Sequence, residues 1–311
     1  MKYLPKRNGS CRCLQIPSAH AYCWRQNQDG GMHSLLIIVP GSTGYLYIAW
    51  KNPPETAVVL GKMESTDQQV VGVAAMDNKD QWYGGAQKYW KEIPATVDGM
   101  LGGFSAISPA DVWGSTKFLK ELLNPSQKKR ELKTSQLRPQ AHTALDCGAG
   151  IGRVTKHVLL PLFETVDMVE QNPDYLEKAK EYLGEKSCRI GHFYPVGLQE
   201  FDPEAGRYDV IWCQWVMLYL TDEDFVSFLN RCKKGLKEGG VVCVKENVSK
   251  KDYEFDAEDS SVTRSHRQYT QLFKQANLNL IKQETQKNMP SDIYKVNMYA
   301  LAPSPLRDKE T

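Results

Sequence analysis

Thr143-Ala-Leu-Asp-Cys-Gly-Ala-Gly-Ile-Gly-Arg153 reads as a buried strand that runs straight into a glycine-rich turn. Thr143, Ala144 and Leu145 make a short apolar strand. Gly148, Gly150 and Gly152 let the backbone turn sharply and approach a ligand without a Cβ in the way, and a helix expected from Arg153 to about Phe163 begins beneath that ligand. The glycines are spaced G-x-G-x-G, unlike the G-x-G-x-x-G of dinucleotide loops, and Asp146 stands two residues before the first of them. A glycine turn alone is a weak signal, because many are only tight turns. An acidic residue closing the next strand, where it reaches both ribose hydroxyls, would supply the second half of a cofactor site. Glu170 ends Val166-Asp-Met-Val169, twenty-four residues beyond Asp146. Such sites use a spacing of roughly 20 residues. Read alone, Glu170 could equally cap the helix that begins near Pro173. The two features together predict a nucleotide-like cofactor.

The loop with its upstream Asp146 resembles the first motif of class I S-adenosylmethionine methyltransferases, which implies S-adenosylmethionine as the cofactor. Working outward, alternating signals predict strands near 143, 166, 189, 208, 241, 279 and 294 with helices between them. That order is an α/β fold with a seven-stranded, mainly parallel sheet and helices on both faces. Leu278 to Thr285 and Ile293 to Leu301 follow one another through Asn288-Met-Pro290 without a helix, predicting an antiparallel terminal hairpin. A carboxylate-rich segment, Phe255 to Ser261, follows the fifth strand, with Ser260 or Ser261 a candidate N-cap for a helix from Val262.

A chain of 311 residues, 41% hydrophobic, is long enough for one domain with an extension. Its net charge of +2 gives no reason to expect nucleic acid or a membrane surface, and the apolar run Leu35 to Pro40 is too short to span a bilayer. A soluble monomer is expected. Cys147, Cys188, Cys213, Cys232 and Cys243 fall in apparent core elements and read as reduced thiols used as small apolar residues.

Residues 1 to 77 form a low-order extension on this reading. Up to about residue 75 they hold few carboxylates (Asp29, Glu55, Glu64, Asp67), many turn formers and no sustained period of 2 or 3.6. Met1 to Lys62 carries seven Lys and Arg against two Asp and Glu but lacks a clear Arg-rich amphipathic helix. The expected location is the cytoplasm, with the nucleus, or an organelle reached through residues 1–62, as alternatives. Cys11, Cys13, His20 and Cys23 are zinc-ligand types at an unfamiliar spacing, so no metal is expected.

Order is expected from near Asp80, where Tyr83, Ala86 and Trp90 share one helix face, either as a core helix or as a lid. The string that follows, Tyr89-Trp-Lys-Glu-Ile-Pro-Ala-Thr-Val-Asp-Gly-Met-Leu-Gly-Gly103, is similar to the N-terminal segment of the protein N-terminal methyltransferases. These enzymes methylate the α-amine of X-Pro-Lys termini. Leu145 to Arg153, Leu159 to Phe163, Gly197-Leu-Gln199, Tyr208-Asp-Val-Ile-Trp212, Gln214-Trp-Val216 and Asp259-Ser-Ser-Val262 resemble the same family. The similarity runs over residues 78–302, with a lid helix and loop at 80–110 and a tail at 303–311. It implies a class I, Rossmann-like methyltransferase fold with an N-terminal helical lid.

By that resemblance Gly148, Arg153, Glu170, Gln171, Asn172, Leu198, Gln199 and Gln214 contact S-adenosylmethionine, Arg153 through the methionine carboxylate. Asp259 is the implied base and Asn247 orients the amine. Trp90, Leu101, Ile107, Trp215 and Tyr294 are implied to line the peptide site, Trp215 with Leu101 and Ile107 gripping the second-position proline. Asp256 and Ser261 would take the lysine. Without the family, Arg153 merely salt-bridges, Trp215 only packs, and 255–261 is a solvated acidic turn. Two departures stand out: Tyr219 occupies the place of a histidine beside the catalytic carboxylate, and Glu170 that of an aspartate. A phenol of pKa near 10 is a poor base at neutral pH but still hydrogen-bonds. A small-molecule amine methyltransferase and a non-catalytic cofactor-binding subunit are the competing expectations.

Overall fold

A computed structural model describes residues 76–124 and 139–303, together with the backbone of five strands before them. Those strands are β1 (Cys11–Arg12), β2 (Ala21–Gln26), β3 (His33–Ile38), β4 (Tyr45–Trp50) and β5 (Val58–Val59), joined antiparallel in chain order within a unit spanning Met1–Val71. The expectation of little regular structure in this stretch differs from what is observed. Six-residue runs such as His-Ser-Leu-Leu-Ile-Ile and Tyr-Leu-Tyr-Ile-Ala-Trp are rich in the branched and aromatic residues that favour strands, and they are too short to show a sustained period. The side chains of Cys11, Cys13, His20 and Cys23, any targeting signal in 1–62, and tail residues 304–311 lie outside the described residues.

The second unit, Gly72–Thr311, is built on a seven-stranded sheet. Its strands are β6 (Thr143–Cys147), β7 (Thr165–Val169), β8 (Ile190–Tyr194), β9 (Tyr208–Gln214), β10 (Leu236–Val248), β13 (Leu278–Thr285) and β14 (Lys295–Pro303). They lie in the order β13-β14-β10-β9-β6-β7-β8. The five from β10 to β8 are parallel, and β14 pairs antiparallel with both β10 and β13. Both the seven strands and the terminal hairpin match the sequence expectation.

Alternation along the central strands divides the core in two. Leu145, Ile211, Cys213 and Val244 point to the face covered by helices at Asp222–Gly235 and His266–Gln275, where Phe225, Phe228, Tyr269 and Phe273 meet them. Ala144, Val210, Trp212 and Cys243 point to the other face, against Phe118 and Leu119 of the helix Ser108–Leu123. Full burial of each large apolar side chain contributes roughly 1.5–3 kcal/mol, so β9, buried at all seven positions, is the centre of stability as well as of topology.

In chain order the helices used below are α1 (Lys79–Glu92), α2 (Val97–Met100), α3 (Ser108–Leu123), α4 (Pro173–Leu183), α5 (Asp222–Gly235) and α6 (His266–Gln275). Asn78 caps α1, accepting from Gln81 N, and Thr96 caps α2, accepting from Gly99 N at 3.0 Å. Three expectations need correction. The helix after the glycine loop is a π-helical turn, Thr155–Leu159, closed by Leu160 N donating to Thr155 O at 2.9 Å. Pro161 has no N–H to continue an α-ladder, and its ring clashes with the carbonyl four residues back. No helix starts at Val262. Ser261–Arg264 is strand β12, paired with β11 (Tyr253–Asp256), and α6 starts later because Ser265 and Gln268 form a reciprocal capping box. Cys188 is exposed, whereas Cys147, Cys213, Cys232 and Cys243 are buried.

Candidate active site

Turns at the carboxyl ends of β6, β7, β8 and β9 surround a pocket whose remaining wall comes from α1 and α2. Gly148, Gly150, Arg153, Glu170, Gln171, Leu198, Gln199 and Gln214 line it, as do Tyr83, Ala86, Trp90, Met100, Trp215 and Tyr219. Gly148, Gly150 and Gly152 have φ of 68°, 54° and 83°. A Cβ on Gly148 would stand 2.5 Å from a Val216 methyl, and one on Gly150 would stand 2.6 Å from the Met100 sulfur. Glycine is therefore required twice over, by conformation and by space. The acid and the loop are joined: Glu170 accepts from Gly150 N at 3.0 Å and from Asn172 N at 2.9 Å. Burial raises its pKa, against the pull of those backbone donors. Asn172 does not line the pocket, and its side chain caps α4 by accepting from Asp174 N at 3.0 Å.

Arg153 is held from behind. It donates to Asp111 Oδ2 at 2.8 Å, while Gln214 Nε2 donates to Asp111 Oδ1 at 2.8 Å and the Lys245 ammonium lies 2.5 Å from that same oxygen. Burial would raise the Asp111 pKa, but Lys245 and Arg153 outweigh it and keep the group ionised. Sequence reading passed over Asp111, Lys245 and Glu246. The signal was present, since Lys245 and Glu246 interrupt the apolar run Val241-Val-Cys-Val244, where a charge is costly unless it has a partner. Glu246 is buried, and its Oε1 accepts from both Val216 N and Met217 N at 2.8 Å.

That clamp secures the turn carrying Trp215, which has φ of 52°, an uncommon conformation for a bulky residue. Trp215 N donates to Lys245 O, and its indole Nε1 donates to Asn247 Oδ1 at 3.2 Å. Tyr219 stacks edge-on against Trp90, with centroids 6.0 Å apart, and donates to Asp259 Oδ2 at 2.9 Å. Burial pushes the Tyr219 phenol well above its usual range, and the neighbouring Asp259 adds to the shift. Burial also raises Asp259; the nearby Ser261 hydroxyl and the Tyr219 bond favour its charged form, yet Oδ1 is enclosed without a geometrically formed hydrogen bond. Asn247 and Asp259 thus reach the pocket through Trp215 and Tyr219.

Other expected peptide contacts are more dispersed. Asp256 is exposed and is register partner to buried Ser261 across β11 and β12. Tyr294 is 44% exposed near Glu254 and Asp256. Leu101 and Ile107 are buried in the lid and, unlike Met100, do not line the pocket. Tyr89, not singled out from sequence, has its phenol raised by burial and by Asp259, Glu258 and Asp256.

The model of the family described as AdoMet-dependent proline di-methyltransferase matches residues 78–302, the span of lid and sheet together. The chain belongs to this family. Relatives of this methyltransferase include N-terminal Xaa-Pro-Lys N-methyltransferase 1-B of Xenopus laevis, 49% identical over 73% of this chain and 97% of that one. N-terminal Xaa-Pro-Lys N-methyltransferase 1 of Bos taurus is 47% identical over the same shares. A solved S-adenosylmethionine-dependent methyltransferase from Leishmania major superposes with a TM-score of 0.66 at 34% identity, covering 76% of this chain and 90% of that one. The cofactor of the methyltransferase is S-adenosylmethionine, whose sulfonium supplies an electrophilic methyl. The site suits it: the cradle at Gly148 and Gly150 admits close backbone approach, and the Glu170 carboxylate and Arg153 guanidinium line the same pocket.

Proposed function

We propose that this methyltransferase transfers methyl groups to the α-amine of proteins that begin X-Pro-Lys once the initiator methionine is gone. The names of the relatives suggest the substrate. The observation that supports the chemistry is Asp259, whose Oδ2 is taken by Tyr219 and whose enclosed Oδ1 has no hydrogen bond. An α-ammonium has a pKa of about 7.7–8.0 and must lose a proton before its lone pair can attack the methyl. With Tyr219 on Oδ2 and only the Ser261 hydroxyl near the carboxylate otherwise, Asp259 keeps acceptor capacity that an ammonium reaching it would use. Raised by burial, Asp259 is also a better proton acceptor than an ordinary carboxylate.

Tyr219 holds its own proton too tightly to serve as the base. Its place is to donate to Oδ2 and keep the carboxylate aimed. Asn247, fixed by the Trp215 indole, orients the amine, and the Trp215 and Trp90 faces grip the proline ring. Asp256 and Ser261 receive the lysine, within an acidic rim that suits an extended cationic peptide better than a small amine. Glu170 holds the ribose diol, Arg153 the methionine carboxylate, and Leu198, Gln199 and Gln214 the rest of the cofactor. On this reading the enzyme works as a monomer in the cytoplasm or nucleus.

The experiment is transfer of labelled methyl from S-adenosylmethionine to an X-Pro-Lys hexapeptide, with Asp259→Asn beside wild type. Transfer is expected on the α-amine, and Asp259→Asn should lower kcat by about 10² with little change in cofactor affinity. Asp256→Asn should act chiefly on peptide KM, and replacing the peptide's lysine by glutamine should then be nearly silent in that background. Label appearing only on small amines would replace this reading with a small-molecule methyltransferase, and wild-type turnover by Asp259→Asn would remove Asp259 from the mechanism.

A further inference from the structure

Three charged side chains are packed together behind one end of the pocket, and their charges do not balance. Asp111 and Lys245 are wholly buried and Arg153 is 5% exposed. Asp111 pairs with Lys245 through Oδ1 at 2.5 Å and with Arg153 through Oδ2 at 2.8 Å. The Lys245 ammonium is completed by Ser115 Oγ at 2.9 Å and Gln286 Oε1 at 2.8 Å, both neutral groups. Within hydrogen-bonding contact two cations therefore share one carboxylate; Asp146, whose pKa burial raises to about 7 against the pull of Arg153, lies within electrostatic reach of Arg153 but makes its hydrogen bond with Thr155. An uncompensated charge in a buried cluster is costly, and an anion meeting the cluster would relieve it. Of the three, only Arg153 faces the pocket, so the anion must arrive there.

The order of the contacts assigns the parts. Asp111 has two oxygens and two cationic partners. Were Lys245 missing, the full negative charge of Asp111 would fall to Arg153, and the positive excess at the pocket wall would be lost. We propose that Lys245 is a positioning residue for the carboxylate of S-adenosylmethionine: by neutralising Asp111 it leaves the charge of Arg153 available, although it never touches the cofactor itself. The inference rests on Arg153 receiving that carboxylate.

Burial lowers the Lys245 pKa to about 8, against the pull of Asp111, while Arg153 adds to the lowering. The charged groups facing the ammonium are Asp111 from α3 and Arg153 from the segment after the glycine loop. Arg153 in turn faces Asp146, raised by burial to about 7, so a change of pH alone does not isolate Lys245 and the test relies on substitution.

The test is calorimetric binding of S-adenosylmethionine and of its decarboxylated analogue, read as the ratio of the two Kd values so that effects common to both cancel. Wild type should prefer the carboxylated cofactor by about 10-fold or more at pH 7. Lys245→Met should bring the ratio to within about 3-fold, and adding Asp111→Asn should restore it, because Arg153 is then alone with its charge. Wild type showing no preference for the carboxylated form would overturn the placement of the carboxylate at Arg153. A normal wild-type preference that survives Lys245→Met, or fails to return in the double variant, would overturn the role of Lys245 alone.

Discussion

Tyr219 stands where the family resemblance implies a histidine, and its surroundings explain how a phenol serves there. Its hydrogen bond to Asp259 favours the charged carboxylate while burial opposes it. Tyr219→Phe should therefore raise the Asp259 pKa further and move the acid limb of the kcat/KM profile to higher pH, with kcat down by about 10-fold, less than for Asp259→Asn. An unmoved limb would show that the phenol does not act through Asp259. Gly148→Val should abolish cofactor binding in a folded protein, since even one carbon there collides with Val216 and φ is 68°. Calorimetry showing unchanged affinity for S-adenosylmethionine would exclude the loop from the site. Glu246 shapes stability instead. Burial lifts its pKa from 4.5 to about 8, so the folded state holds a proton that the unfolded chain releases between those values, and stability falls as pH rises across that window. Glu246→Gln should be nearly neutral at pH 5 and more stable than wild type by ~1–3 kcal/mol at pH 9. Urea melts with the same pH slope in both proteins would contradict this.

At the scale of elements, α1 is anchored at its start by Trp82 Nε1 donating to Tyr219 O at 2.7 Å and by Lys79 and Tyr83 donating to Asp224, and its end is held by one side chain from α4. Tyr175 of α4 donates to Ile93 O at 2.8 Å and lies 2.5 Å from Trp90 O, so it holds the carbonyls that end α1, while Met100 of α2 rests on Gly150. Tyr175→Phe should cost about 1 kcal/mol and, by loosening Trp90, raise peptide KM several-fold with little effect on maximal rate. Proteolysis near 93–105 should quicken in step, and an unchanged peptide KM would mean that the latch is structural only. Helix starts at Asn78, Thr96 and Asn172 follow local capping chemistry. Ser260 and Ser261 satisfy the same local rule and do not start a helix, because Val262 is drawn into β12 opposite Phe255, and Ser265 with Gln268 offers the complete box.

For the molecule as a whole, the division at Val71 and the family match from residue 78 point the same way. A chain beginning at Met76 should fold with an unchanged thermal midpoint for its core and methylate like the full chain, as followed by calorimetry and label transfer. Insolubility or lost turnover would make residues 1–75 part of the working enzyme. The seven-stranded order rests on alternation within β6, β9 and β10, each of which sends consecutive side chains to opposite cores.

The glycine loop, Glu170, the strand count and the terminal hairpin were legible in the chain because each is written in short-range terms: backbone freedom, period 2, a residue closing a strand. Position beside Glu170 does not tell where the Asn172 side chain turns, and the fold turns it to the start of α4 as a cap. Only the fold brings Asp111 within 2.8 Å of Arg153, forty-two residues away, and sets Lys245 beside both. It alone joins Tyr219 to Asp259 across forty residues and leaves one carboxylate oxygen enclosed without a hydrogen bond. Such pairings are set by strand order and by which face each residue occupies, so the charge balance and proton affinities of the site belong to the tertiary structure.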